Sequence, residues 1–281
     1  RTGGHQRLRT FCSAGTGNVL MPSSCRLYDL HNTIVPYHQA WDWQHLLVDR
    51  AIAAAELAQR DGGNCAAENT VLLMQHAPVY TLGAGSTIDN VLFDEEKSEI
   101  PLVRTERGGE VTYHGPGQLV MYPILRLQSP PHQADLHWYM RSLEQVVIDA
   151  LREVSGIEAG RVDGMTGVWV GDAKVAALGI RARRWVTYHG LALNVCMDLA
   201  PFGSIVPCGI AGRRVGSVRS VSEEADMVGD PFLTDGAADG MVQANVELLM
   251  EYRYGLLEAF ERVFQVQLAE GDAAADLPGA A

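Results

Sequence analysis

Apolar residues recur at helical spacing in three stretches of the chain, with short strand-like runs between them. From Pro36 to Gly62, Trp43, Leu46, Leu47, Ala51, Ala54 and Ala55 form one stripe, which predicts a helix stopped by Gly62-Gly63. Over Asp135–Val154, Leu136, Met140, Leu143, Val147, Ala150 and Leu151 share a face, with Asp135 placed as the cap and Gly156 after the end. Met241–Phe264 predicts a final helix through Val242, Val246, Leu249, Leu256, Phe260 and Val263. Thr70–Gln75 reads as a strand ending near Pro78, followed by a loop at Gly83–Asp94. Pro101–Leu127 holds strand-like runs broken at Arg107-Gly108-Gly109 and Gly115-Pro116-Gly117, breaks that mark tight turns or close backbone approach to a ligand. A meander then follows: Gly167–Val170, a Gly171-Asp172 turn, Lys174–Arg183 and Val186–Val195.

Helices early, middle and late around a strand-rich centre predict one α+β domain with a mixed or antiparallel sheet. At 281 residues and 47% hydrophobic, the chain can bury a sizeable core. Val221–Gly240 carries six acidic residues and no basic one and is expected to be a solvated loop insertion. The Ala-rich end is expected to be a disordered tail, from residue 269 onwards, behind a catalytic domain spanning 28–268.

Residues 1–27 have a different composition. Arg1, Arg7, Arg9 and Arg26 stand there with no acid before Asp29, among Ser, Thr and Gly. That composition fits an organelle transit peptide better than a secretory signal; a basic disordered arm with no address is the plainer alternative. The formal charge of the chain is −12, which argues against nucleic acid as a partner. No apolar run approaches the roughly 20 residues of a spanning helix, so no membrane partner is expected. Five cysteines, at 12, 25, 65, 196 and 208, include no Cys-x-x-Cys pair, so neither a disulfide framework nor a structural zinc site is expected.

The tetrapeptide Thr-Tyr-His-Gly occurs twice, at Thr112–Gly115 and Thr187–Gly190. The flanking sequences differ, so the copies are read as two strands contributing to one pocket rather than as a duplication. Cys208, in IVPCGIAG, is punctuated by Pro207 and Gly209, which predicts an exposed turn where a thiolate nucleophile can work; a small buried hydrophobe is the alternative. Lys174 is one of only two lysines, with Lys97, and opens an apolar strand. Partly desolvated there, it can give or take a proton; an ordinary turn lysine is the competing reading. RGGEVTYH lacks the Gly-Lys-Ser/Thr ending of a P-loop and is not a dinucleotide fingerprint. His114 and His189 are candidates for general bases or metal ligands, though without spaced partners a hydrogen-bonded structural role is the commoner one. Arg181, Arg183, Arg184, Arg213, Arg214 and Arg219 form a basic cluster, read either as a solvated edge strand or as a docking patch for an acidic partner.

Taken together, RGGEVTYHGPGQLVMYPI, DGMTGVWVGDAKVAALGIR, YHGLALNV, DLAPF and IVPCG resemble the lipoyl(octanoyl) transferase family, in family order, from about Tyr28 to Val218. DLHWYMRSLEQVVI and the basic arm look like plant or algal organellar members, the plastid form being closer than the mitochondrial one. The resemblance implies the α/β catalytic domain shared with biotin and lipoate ligases, a central mixed β-sheet flanked by helices. It implies that Cys208 forms an acyl-thioester and that Lys174 activates it and shuttles the proton. It further implies an acyl pocket built from Arg107, Gly108, Gly109, Glu110, Val111, Thr112, Tyr113 and His114, from Ala177, Leu178 and Gly179, and from Gly190, Leu191 and Ala192. The implied partners are octanoyl-acyl carrier protein as donor and the lipoyl domains of E2 subunits or glycine-cleavage H protein as acceptors, with no ATP, metal or other cofactor. Two rivals are an ATP-dependent ligase, which would have no use for Cys208, and a non-enzymatic binding module using the arginines.

Overall fold

The computed structural model describes residues 23–60, 68–206, 213–227 and 238–280. In chain order the elements are β1 (Ser23–Val35), α1 (Tyr37–Arg60), β2 (Asn69–His76), β3 (Val79–Leu82), β4 (Leu102–Arg104), β5 (Thr112–His114), β6 (Gln118–Ile124), α2 (Leu136–Ser155), β7 (Gly160–Val162), β8 (Met165–Val170), β9 (Ala173–Arg183), β10 (Val186–Asn194), β11 (Arg214–Val215), α3 (Val218–Met227), α4 (Ala238–Phe264), β12 (Val266–Glu270) and α5 (Ala273–Asp276). The main sheet runs β12-β1-β2-β6-β10-β9-β8-β7, with β11 beside β9; β4-β3-β5 form a small second sheet. The main sheet is mixed. β12, β1 and β2 are parallel, so β1 and β2 need the crossover that α1 supplies. β2 through β7 pair antiparallel.

Helices cover both faces. Trp43, Leu47, Val48 and Ala51 of α1 pack with Leu72, Met74, Val120 and Tyr122 on one. On the other, Leu143, Val147 and Leu151 of α2 and Leu256, Phe260 and Phe264 of α4 enclose Val71, Leu73, Leu119 and Met121. α2 is closed at both ends as its sequence predicts. The Asp135 carboxylate accepts from His137 N–H at 2.8 Å and Trp138 N–H at 3.3 Å, and Gly156 turns left-handed at φ 64°. No helix among the described residues is long and apolar enough to cross a membrane.

Three expected boundaries are corrected. The strand order begins at Ser23, so residues 23–27 of the expected arm belong to the sheet; the rest of the arm lies outside the described residues. The acidic stretch expected as a loop is helical where it is described, within Val218–Met227 and again from Ala238; residues 228–237 lie outside the described residues. The tail expected to be disordered is docked. β12 pairs with β1, the Asp272 carboxylate caps α5, and Leu277 is 1% exposed. Trp43 Nε1 donates to Pro278 O at 2.8 Å, and Asp276 accepts from Tyr28 at 2.8 Å and pairs with Arg26 at 3.0 Å. A few contacts to α1 and β1 therefore replace the apolar run the tail lacks.

Candidate active site

The facing residues of β9 and β10 stay small over two successive rungs of one face: Ala177 pairs with Ala192 and Gly179 with Gly190. Such a stretch leaves room above the sheet. A cleft of about 210 Å³ lies there. Lys174, Ala177, Leu178 and Gly179 of β9 line it with His189, Gly190, Leu191 and Ala192 of β10. Arg107, Gly109, Glu110, Val111, Thr112 and His114 add a wall from the small sheet and its loop. Both copies of the repeated tetrapeptide thus reach one cleft from two different sheets.

Strand alternation decides which members of the RGGEVTYH segment face it. Thr112 and His114 line the cleft; Tyr113 between them turns away and packs on Tyr80 and Phe202. Gly108 also stands outside, its N–H bonded to Ile180 O at 2.9 Å. That bond lays the loop across β9 where Gly179 has no side chain: a Cβ there would lie 2.8 Å from Gly108 O and 2.9 Å from Arg107 Cδ. Tyr37, Val120, Tyr122 and the Gly164–Thr166 turn complete the lining. Sequence patterning gave no signal for these, while His189 sat in plain view within the second tetrapeptide.

Lys174 is 7% exposed, its Nζ 5.7 Å from the centre of the Trp169 ring. Gly167 makes the space it occupies. At φ 133° Gly167 adopts a conformation closed to other residues, and a Cβ there would lie 2.4 Å from Lys174 Cε and 2.8 Å from Ala176 O. Glu144, 2% exposed, holds that bend by accepting Gly167 N–H at 3.2 Å while pairing with Arg161 at 2.8 Å.

Cys208 lies outside the described residues. The chain on either side of it is placed. Val206 donates to Asn90 O at 2.8 Å, and Asn90 Nδ2 donates to Glu110 of the cleft wall at 3.0 Å. After the gap, β11 takes up the β9 edge that β10 has vacated, pairing Val215 with Lys174. Of the other cysteines described, Cys25 is buried in the core, with its thiol pushed up by burial, and Cys196 is half-buried at the end of β10, also shifted up by burial.

The end of the cleft away from Lys174 is polar. Arg107 is buried and donates to Thr81 O at 2.6 Å and Thr81 Oγ1 at 2.8 Å. Its charge is felt by His114 and His189, and His76 packs edge-on against His114 at 5.7 Å. His76 is held by Val35 O at 2.9 Å and Tyr122 Oη at 2.8 Å, and burial lowers its pKa to about 4. His114 meets Gln118 Oε1 at 2.7 Å and Thr81 Oγ1 at 3.3 Å; burial, then His76, hold its pKa well below the usual histidine value. His189 is lowered to about 3, by burial first and then by the Arg107 charge. All three are neutral near pH 7. Among the described residues no group of three His, Cys, Asp or Glu side chains is arranged to hold a metal ion.

The basic cluster read from the sequence is divided in space. Arg214 sits opposite Ala173, at the start of β9, and Arg183 ends the same strand, about 30 Å away at 3.3 Å per residue. Arg183 pairs with Asp49, Arg184 with Glu56 and Arg214 with Asp172. The acids come from α1 and a distant turn, which is why a linear reading saw only positive charge.

Comparison with known proteins gives the chain's family. Residues 36–229 match the lipoyl protein ligase A/B catalytic domain. The chain is 45% identical over 251 residues to the chloroplastic octanoyltransferase LIP2p2 of Arabidopsis thaliana, covering 89% of this chain and 82% of that one. It is 49% identical over 209 residues to the octanoyltransferase of Synechococcus sp. strain WH7803, covering 74% and 79%. Among solved structures, lipoate-protein ligase A bound with ATP superposes with a TM-score of 0.59 at 18% identity over 88% of each chain. A bipartite lipoate protein ligase of Thermoplasma acidophilum gives 0.56 at 16%, covering 89% and 87%. At those identities the likeness is one of fold. The chain belongs to the lipoyl protein ligase A/B catalytic-domain family and, within it, to the octanoyltransferases of plant organellar type.

Proposed function

We propose that this protein moves an octanoyl group from the phosphopantetheine thioester of acyl carrier protein to a lysine of a lipoyl domain, through an acyl-Cys208 intermediate. One observation carries the reading. The segment bearing Cys208 leaves from Val206, tied through Asn90 to the cleft wall, and returns at Val215, paired with Lys174. Anchored on one side to the cleft wall and on the other beside Lys174, that segment supports a scheme in which Cys208, 34 positions from Lys174 in the sequence, shares the acyl group with it.

The steps follow from those groups. The Cys208 thiolate attacks the thioester carbonyl, forming a new C–S bond as the old one breaks. Lys174, as ammonium, gives its proton to the departing pantetheine thiolate, which leaves as the thiol. The acceptor ε-amine then attacks the acyl-cysteine, Lys174 takes the proton released, and Cys208 leaves as thiolate. Thioester to amide runs downhill, so the scheme calls for neither ATP nor a metal. The acyl chain lies along the Ala177·Ala192 and Gly179·Gly190 rungs, whose small side chains suit a straight apolar ligand. The acceptor class is supported by the Thermoplasma ligase, which was solved as a system with its E2 lipoyl domain. Plastid residence agrees with the chloroplastic relative.

The test is transfer itself. Octanoyl-acyl carrier protein and an apo lipoyl domain are mixed with the protein without ATP, and the acceptor is weighed. An octanoylated acceptor supports the reading. Acylation that requires ATP and free octanoate would replace it with that of a ligase.

A further inference from the structure

A line of buried side chains runs from the polar end of the cleft to the backbone of Lys174, and its hydrogen bonds all point one way. Arg107 donates to Thr81 Oγ1 at 2.8 Å, and Thr81 Oγ1 meets His114 Nε2 at 3.3 Å. His114 Nδ1 meets Gln118 Oε1 at 2.7 Å. Gln118 Nε2 donates to Asn194 Oδ1 at 2.9 Å, and Asn194 Nδ2 donates to Gly216 O at 2.8 Å. Gly216 N–H closes the line on the Lys174 carbonyl at 2.9 Å. Two backbone carbonyls fix the direction, because a carbonyl only accepts. Gly216 O turns the Asn194 amide nitrogen toward itself, and Tyr113 O does the same for Gln118 at 3.2 Å. The Gln118 oxygen then faces His114 Nδ1, which carries the proton, and Nε2 accepts from the Thr81 hydroxyl. His114 is thereby a neutral link with both ring nitrogens in use.

The last links fall where β9 changes partners. β10 pairs with β9 as far as Leu193, opposite Ala176, and β11 takes up Lys174. Asn194, the next residue of β10, reaches across to Gly216, just past β11. The backbone approaches closely there: a Cβ on Gly216 would lie 2.9 Å from Ala173 Cβ. Gln118 and Asn194 are themselves register partners, so their side chains meet on one face of the sheet, and neither lines the cleft. Apolar side chains could fill the same space but would leave the Gly216 and Tyr113 carbonyls without these donors. A relay with its links satisfied specifies one arrangement instead. We infer that Gln118 and Asn194 are positioning residues for the transfer reaction: they fix Gly216 and, through it, the Lys174 end of the cleft against the wall that carries Arg107 and His114. The inference rests on the transfer reading above.

The direction of the relay supplies the test. Asn194→Asp keeps the size of the side chain and removes the donor. Its carboxylate would set an acceptor against Gly216 O; its protonated form would donate there as the amide does. Burial and the carbonyl both favour the neutral form, so its pKa in the folded protein lies above the ordinary carboxylate value. The link is therefore whole below that pKa and broken above it. The other titratable or charged groups around the relay are Arg107, His114 and Lys174, with Cys196 and Arg219 at the end of β10. Their titration is common to wild type and variant, so the readout is the ratio of the two at each pH. Octanoyl transfer from acyl carrier protein to an apo lipoyl domain is measured without ATP, from pH 9 to pH 6, with circular dichroism confirming folded variants. At pH 9 the kcat of Asn194→Asp is expected to fall about five- to hundredfold, with KM for the donor within about threefold of wild type. The loss should reverse toward pH 6. Asn194→Ala, which cannot donate at any pH, should stay low throughout. Gln118→Glu makes the same change one link earlier, with the same expected sign, and replaces Asn194→Asp if that variant does not fold. A wild-type kcat at pH 9, a loss that ignores pH, or a loss carried by KM alone overturns the inference while wild-type transfer stands. Wild type failing to transfer octanoyl without ATP overturns the transfer reading and this inference with it.

Discussion

Val215 is the register partner of Lys174, and Gly216 donates its N–H to the Lys174 carbonyl at 2.9 Å. The chain that returns from the Cys208 segment is therefore tied to the strand residue whose side chain enters the cleft. Replacing Lys174 by Ala keeps those backbone bonds and removes the amine alone. Acyl transfer is expected to fall about 10²–10⁴-fold, the range of a lost general acid–base group, with an unchanged circular dichroism spectrum. Activity within a few-fold of wild type would remove Lys174 from the mechanism.

Gly167→Ala tests whether the lysine's pocket is as tight as it looks. The new Cβ meets Lys174 Cε, which can swing, and Ala176 O, which cannot, at a φ closed to alanine. A loss of about 1–3 kcal/mol in urea unfolding is expected, together with a lower kcat. Wild-type stability and turnover would show that the bend relaxes freely.

Acid should weaken the fold through the buried imidazoles. In the unfolded chain they take up protons near pH 6.5; in the folded protein His76 does so only at about 4 and His189 at about 3. The folded state binds fewer protons in between, so this stability is complete above pH 6.5 and is lost as pH falls toward those values. Between pH 6.5 and 5 each imidazole should cost roughly 1–2 kcal/mol, read as a falling urea midpoint. His189→Asn should flatten the slope; an identical slope in that variant would assign the acid sensitivity elsewhere.

The docked C-terminus makes a separate prediction. Leu277→Ala removes a side chain that is 1% exposed and should cost about 2 kcal/mol or more. Unfolding measurements that show no change would mean that the segment beyond β12 adds nothing to the fold.

What was legible in the sequence is what is local. Asp135 and Gly156 mark the ends of α2 because capping acts within one turn. The meander from β8 to β10 declares itself through adjacent strands and a Gly-Asp turn, and the cleft through its glycines. β1 was missed because SSCRLYDLHNTIV mixes polar and apolar residues, and its partners, β2 and β12, lie up to about 240 positions away. The neutralising of Arg183 and Arg184 was hidden for the same reason, Asp49 and Glu56 being on α1. Tyr37 and Tyr122 reach the cleft only through packing, which carries no one-dimensional signature.

The most direct test of the central claim is intact-protein mass spectrometry after mixing with octanoyl-acyl carrier protein, without ATP or acceptor. Wild type is expected to gain one octanoyl group that hydroxylamine removes, and Cys208→Ser is expected to gain no hydroxylamine-labile group. An unmodified wild type that nonetheless octanoylates a lipoyl domain, or an equally labile adduct on Cys208→Ser, would contradict the acyl-cysteine mechanism.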